Sequence, residues 1–111
     1  MPIYITQGRY TRDAIKGMLV KPEDRAEAVS RLIGKVGGKL VGYYVTFGEY
    51  DFLLIADVPD NTQMAAALMA AGATAGVTDL KTTVAMTSIE AKGAFAAASD
   101  IAPGFRSPGG A

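Results

Sequence analysis

The 111-residue chain contains no histidine and no cysteine, so its reactive groups are carboxylates, tyrosine hydroxyls, lysine amines and arginine guanidinium groups. Without imidazole there is no side-chain base titrating near neutral pH, no Ser-His dyad, no His-ligated zinc and no proximal ligand for haem. Without thiols there is no cysteine nucleophile, disulfide framework or thiolate metal site. No metal and no cofactor is expected. A small set of residues remains worth weighing. Tyr50 and Asp51 follow Gly48, and a carboxylate base beside a substrate-orienting hydroxyl is one chemistry that this pair supports. Turn formation accounts for the same three residues: Gly48 permits the turn, Tyr50 packs beside Phe47, and Asp51 accepts from turn backbone. This structural role is the favoured one. Arg9, Arg12 and Lys16 follow the first apolar run, where they could hold an anion, although scattered exposed charges need no special role. Gly72 to Gly76 lacks the spacing of a phosphate-binding or dinucleotide-binding loop.

These side chains are positioned by a hairpin. Lys39 to Asp60, KLVGYYVTFGEYDFLLIADVPD, places two apolar and aromatic runs around a glycine-bearing turn. A two-residue turn at Gly48 and Glu49 pairs Phe47 with Tyr50 and sets the register. One face of the hairpin then carries Val41, Tyr43, Val45, Phe52 and Leu54 with Phe47 and Tyr50. The other carries Leu40, Tyr44, Thr46, Asp51, Leu53 and Ile55.

Ahead of the hairpin, Ile3 to Thr6 reads as a strand ended by Gly8, followed by a short helix capped by Thr11. A longer helix starts at Pro22, carries Ala26, Val29, Leu32, Ile33 and Val36 at helical spacing, and stops at Gly37-Gly38. Behind the hairpin, Asp60 caps a helix with Met64, Ala67, Leu68 and Ala71 on one stripe. Val77 to Met86 reads as a last strand. Thr87 and Glu90 have capping-box spacing for a terminal helix over Ser88 to Ala98. The expected organisation is one domain over residues 1–100 and a flexible Pro/Gly-rich tail over 101–111.

The order β-α-β-β-α-β is the ferredoxin-like, α+β pattern, in which two helices cover one face of a four-stranded antiparallel sheet. The other face is left bare. Its apolar content, with Leu40, Leu53 and Ile55 among it, predicts a homodimer or larger homo-oligomer packed through that face. Alternation through all four strands places Tyr4, Thr6, Tyr44, Thr46, Asp51, Lys81 and Thr83 on the bare face, with Arg9 at its end. Apolar walls with a few fixed polar groups describe a small-molecule pocket. The partners expected are therefore another copy of the chain and a small ligand. Eleven basic and eleven acidic side chains cancel, which leaves nucleic acid and anionic membrane without an electrostatic footprint. No apolar run is long enough to span a bilayer and the N-terminal residues lack a signal-peptide layout, so a cytoplasmic protein is expected.

At GEYD, Gly48 to Asp51, the sequence resembles the GYD domain family. Tyr4, Thr11, Pro22 to Arg25, Gly37-Gly38, the YYVTFGEYDF run and Pro59-Asp60 carry the resemblance over about residues 1–90. It implies the dimeric α/β-barrel architecture and supplies no activity, and it assigns no catalytic role to Glu49. Two functions stay open. One is an oligomeric protein of binding or regulatory role, with its ligand between the bare sheet face and a partner subunit. The other is a cofactor-independent oxygenase, isomerase or decarboxylase acting on a small aromatic or carboxylic substrate, with Asp51, Tyr44 and Arg9 abstracting a proton and holding an anion.

Overall fold

The computed structural model describes residues 2–110. Four strands form one sheet: β1 (Ile3–Tyr10), β2 (Lys39–Val45), β3 (Phe52–Asp57) and β4 (Val77–Ala85), in the spatial order β2-β3-β1-β4. All neighbouring pairs are antiparallel, which is the ferredoxin-like arrangement. Four helices accompany the sheet: α1 (Arg12–Val20), α2 (Ala26–Lys35), α3 (Asn61–Thr74) and α4 (Ser88–Ile101), the last continuing into a 3-10 turn over Ala102–Gly104. None of the helices is long and apolar enough to cross a membrane.

Capping side chains fix the helix starts. Thr11 Oγ1 accepts from the Ala14 N–H at 3.2 Å, Asp60 Oδ1 accepts from the Gln63 N–H at 2.9 Å, and Thr87 and Glu90 close a full capping box. Each satisfies N–H groups that a helix start leaves without partners. The helix expected from Pro22 begins later, at Ala26, because Asp24 Oδ1 accepts from the Ala26 N–H at 2.9 Å and holds the preceding residues in a turn. The terminal helix is longer than expected and runs to Ile101.

The core lies between the sheet and the α2–α3 layer. Tyr4, Phe52, Leu54 and Ala56 from the strands meet Ile33 from α2 and Met64 and Ala67 from α3. Burial alternates along β1 and β3, as a sheet covered on one face requires. The Tyr4 hydroxyl donates to Asn61 Oδ1 at 2.6 Å, pinning the start of α3 to the middle of the sheet.

Three expectations about the strands are corrected. Strand β1 does not stop near Gly8 but continues to Tyr10. Gly8 is buried beneath an aromatic ring: a Cβ there would lie 2.7 Å from Phe52 Cζ and 2.8 Å from Leu80 Cδ2. A glycine inside a strand admits such an approach without ending the strand. Tyr4 and Thr6, expected on the bare face, lie on the covered one, opposite Ala56 and Leu54. Leu40 also packs on the core, while Val41 is exposed, because a bulge between Leu40 and Gly42 inserts an extra residue and reverses the alternation. Between Gly42 and Val45 the register with β3 is the expected one.

α4 stands apart from this core. Apart from partly buried Ala91 its residues are exposed, and the molecule measures 64 × 31 × 21 Å. Its radius of gyration is 18.3 Å, against about 13 Å for a compact chain of similar length.

Gly8→Ala should lower unfolding stability by about 1–3 kcal/mol, the usual cost of overpacking. Gly17, with no neighbour near its missing Cβ, should tolerate alanine and gain about 0.5–1 kcal/mol as a helical residue. Urea unfolding of the two variants checks both, and an unchanged midpoint for Gly8→Ala would remove the close-approach account.

Candidate functional site

The covered face holds a partly open cavity of about 80 Å³ between the sheet, α2 and α3. Its walls are mainly apolar: Val29 and Leu32 from α2, Met64 and Leu68 from α3, and Leu54 and Leu80 from the sheet. Polar groups reach it at two levels. At the level of Leu54, Thr6 is fully buried, and its hydroxyl pairs with that of Thr82 at 2.9 Å. Elsewhere on the wall Tyr10 and Tyr43 join hydroxyl to hydroxyl, and Arg25 lines the same space.

Period-two placement builds this set. Tyr4, Thr6, Gly8 and Tyr10 occupy one face of β1, and Tyr43 lies on the same side of β2, opposite Leu54. The Phe52 ring sits between the two tyrosines, with ring centroids 5.3 Å from Tyr10 and 5.9 Å from Tyr43. These offset ring contacts hold the phenols in place. Burial, and then the hydrogen bond in which the Tyr43 hydroxyl donates to Tyr10, push the Tyr43 hydroxyl well above its ordinary pKa, while the Arg25 charge acts in the opposite direction. Tyr43 is therefore a neutral hydrogen-bonding group at physiological pH, not a base. Arg25 Nη1 also donates to Glu23 Oε1 at 3.0 Å, so part of its charge is balanced.

The uncovered face carries Ile5 and Gln7 from β1, Leu53 and Ile55 from β3, Tyr44 from β2 and Lys81 and Thr83 from β4, by the pairings of Gln7 with Leu53 and Lys81 and of Ile5 with Ile55 and Thr83. Tyr44 is 58% exposed and its ring lies over Gly42, where an added Cβ would come within 3.0 Å of it. At the end of this face the GEYD turn overhangs an open cleft of about 260 Å³ lined by Gln7, Thr46, Tyr50 and Lys81 among others. The connection is longer than a two-residue turn. Thr46 N–H still donates to the Asp51 carbonyl at 2.8 Å and Thr46 Oγ1 to the Tyr50 carbonyl at 2.7 Å, while Phe47 projects fully into solvent.

Asp51 and Arg9 fasten that turn to the sheet. Asp51 N–H donates to the Gly8 carbonyl at 2.8 Å, and its Oδ2 accepts from the Tyr10 N–H at 3.0 Å. Arg9 Nε donates to the Glu49 carbonyl at 2.8 Å, its guanidinium lies 5.2 Å from the Tyr50 ring centroid, and Nη1 is 3.5 Å from Asp79 Oδ2. Asp51 and Arg9 thus lie at the turn and Tyr44 on the uncovered face, and none of the three lines the cavity between the sheet, α2 and α3. Of the candidate pocket residues only Thr6 lines that cavity; Thr46 and Lys81 meet at the cleft beneath the turn.

Tyr10, Arg25 and Thr82 were missed in the sequence. The continuing alternation Tyr4, Thr6, Gly8, Tyr10 was the available signal for the first, and it was obscured by reading Gly8 as a strand end. Nothing in the local pattern singles out Arg25 among the charges of its helix start.

The profile of the GYD domain family matches residues 4–95. The chain belongs to the GYD domain family. The match takes in the sheet, α1 to α3 and the first part of α4. No curated protein matches the chain. Among solved structures, FFRP-DM1 is similar at 14% identity with a TM-score of 0.49, covering 78% of this chain and 100% of that one. TTHA0845 from Thermus thermophilus is similar at 16% identity with a TM-score of 0.52, covering 79% of this chain and 96% of that one. The second likeness shows the same fold for this GYD domain.

The raised Tyr43 pKa sets a pH dependence. The folded state favours the neutral phenol, so its contribution to stability is complete below about pH 10, the ordinary tyrosine value, and declines as pH rises above it. Urea unfolding at a series of pH values through this range should show a steeper loss for wild type than for Tyr43→Phe. Parallel curves would contradict the placement of a neutral, buried Tyr43 hydroxyl.

Proposed function

We propose that this GYD domain is a homo-oligomeric protein that binds a small, mainly apolar molecule in the cavity between the sheet and helices α2 and α3. The observation that carries the proposal is the combination of an apolar cavity with fixed polar groups, Thr6, Tyr10, Tyr43 and Arg25, on its wall. Such sites use apolar area for affinity and a few placed hydrogen-bonding groups for orientation. A ligand with an apolar body and one anionic or hydroxyl end suits them: the body meets Met64, Leu68 and Leu80, and the polar end meets Arg25 and the tyrosine pair.

The small cavity size favours a compact ligand, since about 80 Å³ is far below the roughly 300–1,000 Å³ of pockets for drug-sized molecules. A binding or regulatory role fits better than turnover, because the wall supplies hydrogen-bonding groups and one partly balanced cation but no carboxylate. The oligomer would form through the uncovered sheet face, leaving this cavity intact in each subunit.

A thermal-shift screen of small aromatic and aliphatic acids tests the proposal. A ligand at about 100 times its Kd adds about 2.7 kcal/mol to stability and should raise the melting temperature of wild type by several degrees. Arg25→Gln should weaken that shift and Ala71→Phe, which fills the cavity, should abolish it. Tyr44→Phe, on the opposite face, should leave it unchanged. A shift that depends on Tyr44 and ignores Arg25 and Ala71 would place the ligand on the uncovered face instead.

A further inference from the structure

The apolar cavity adjoins a larger space. Tyr10, Arg25 and Ala75, which line the cavity, also line an open cleft of about 520 Å³ between α1, the connection from α1 to α2 and the end of α3. The cleft falls within the roughly 300–1,000 Å³ of ordinary ligand pockets, which the cavity alone does not reach. Its α1 wall is fixed at one end. The Thr11 N–H donates to the Gly76 carbonyl at 2.8 Å, and a Cβ at Gly76, where φ is +71°, would lie 2.7 Å from Ala14 Cβ. Glycine admits both the backbone conformation and the close approach of α1.

The cleft is polar where the cavity is apolar. Asp13, Gly17 and Lys21 follow one another at intervals of four, on one face of α1, and all three line the cleft. Gly17 leaves the middle of that face open, since a Cβ there would meet nothing within 4 Å. Asp13 and Lys21 are about 12 Å apart along the helix axis, and among the described residues neither belongs to an ion pair. Glu23 and Arg25, also on the lining, are joined at 3.0 Å. The cleft therefore offers two carboxylates and two cations with no net charge.

This mixture selects the chemistry of what lies in it. An ionic group would meet two like charges along with its two opposites, and like-charge juxtaposition offsets the attraction. A hydroxyl meets no such conflict, because it donates to a carboxylate and accepts from an ammonium or guanidinium group. Adjacent hydroxyls on one ring match the Arg25–Glu23 pair, one accepting from the guanidinium and the other donating to the carboxylate. We propose that the ligand is an amphiphile of glycoside type, with a compact apolar end in the cavity and an uncharged, hydroxyl-rich head in the cleft beneath α1. The proposal rests on the cavity reading for the apolar end, and it selects a hydroxyl-bearing end over an anionic one.

Thermal shift on the full-length chain tests it with three probes that share a butyl group: butyl β-D-glucoside, pentanoate and butylamine. The largest rise in melting temperature is expected from the glucoside. Gly17→Phe, which fills the cleft, and Lys21→Met, which removes a donor from it, should both reduce that rise, and Gly17→Phe should leave the smaller pentanoate shift in place. Ala71→Phe should abolish the shifts of all three probes. A glucoside rise no larger than that of an ionic probe, or one that Gly17→Phe and Lys21→Met leave unchanged, overturns the glycoside head; a pentanoate shift that Ala71→Phe still abolishes then leaves the cavity reading standing. A glucoside rise lost in Gly17→Phe but untouched by Ala71→Phe overturns the cavity as the seat of the apolar end, and the two-part ligand with it. No shift from any probe overturns both.

Discussion

A four-stranded sheet has two faces, and the α2–α3 layer of this chain covers only one of them. The remaining features depend on how the sequence divides its side chains between the covered and uncovered faces. Where alternation runs undisturbed, as from Ile3 to Arg9 in β1 and along β3, burial switches at every residue. Where an extra residue enters, at Val41 in β2 and beside Gly8 between β1 and β4, the assignment shifts. A bulge of one residue moves a side chain as large as Leu40 from one face to the other.

On the covered face, the Phe52 ring organises the site. It lies over Gly8, where no Cβ could fit, and between the rings of Tyr10 and Tyr43. This packing brings two phenols from different strands into hydroxyl contact at the cavity wall. The same strand end is tied to the GEYD turn, because Asp51 accepts from the backbone of Tyr10 and Arg9 reaches the carbonyl of Glu49. Of the family's signature residues, Asp51 thereby reaches the cavity wall indirectly, by holding the backbone of Tyr10.

Most of the architecture was legible in the sequence, and the reasons are local. Capping residues Thr11, Asp60 and Thr87, the Gly37-Gly38 stop, and the apolar stripes of α2 and α3 each encode an element through short-range chemistry. The family resemblance at GEYD agrees with the match over residues 4–95. The candidate site was less legible, since it depends on which face a strand residue occupies. Reading Gly8 as a terminator hid Tyr10, and starting the alternation of β1 on the wrong face put Tyr4 and Thr6 outside the core. The glycine is there to admit a ring from a strand more than forty residues later, and nothing near Gly8 in sequence announces it. The placement of Arg25 at the cavity likewise follows from the packing of α2 and not from its immediate neighbours.

The uncovered face, with Ile5, Leu53, Ile55 and Tyr44 across three strands, is the central demand that the fold leaves unmet, and self-association is the proposed answer. Full burial of a large aliphatic side chain contributes roughly 1.5–3 kcal/mol, and Ile5, Leu53 and Ile55, each half-buried, would contribute part of that on each of two copies. Sedimentation equilibrium of the full chain at micromolar concentration is the most direct measurement. The proposed pairing predicts a species of at least twice the chain mass, converted to monomer by Ile55→Lys. A wild-type monomer at that concentration would contradict it.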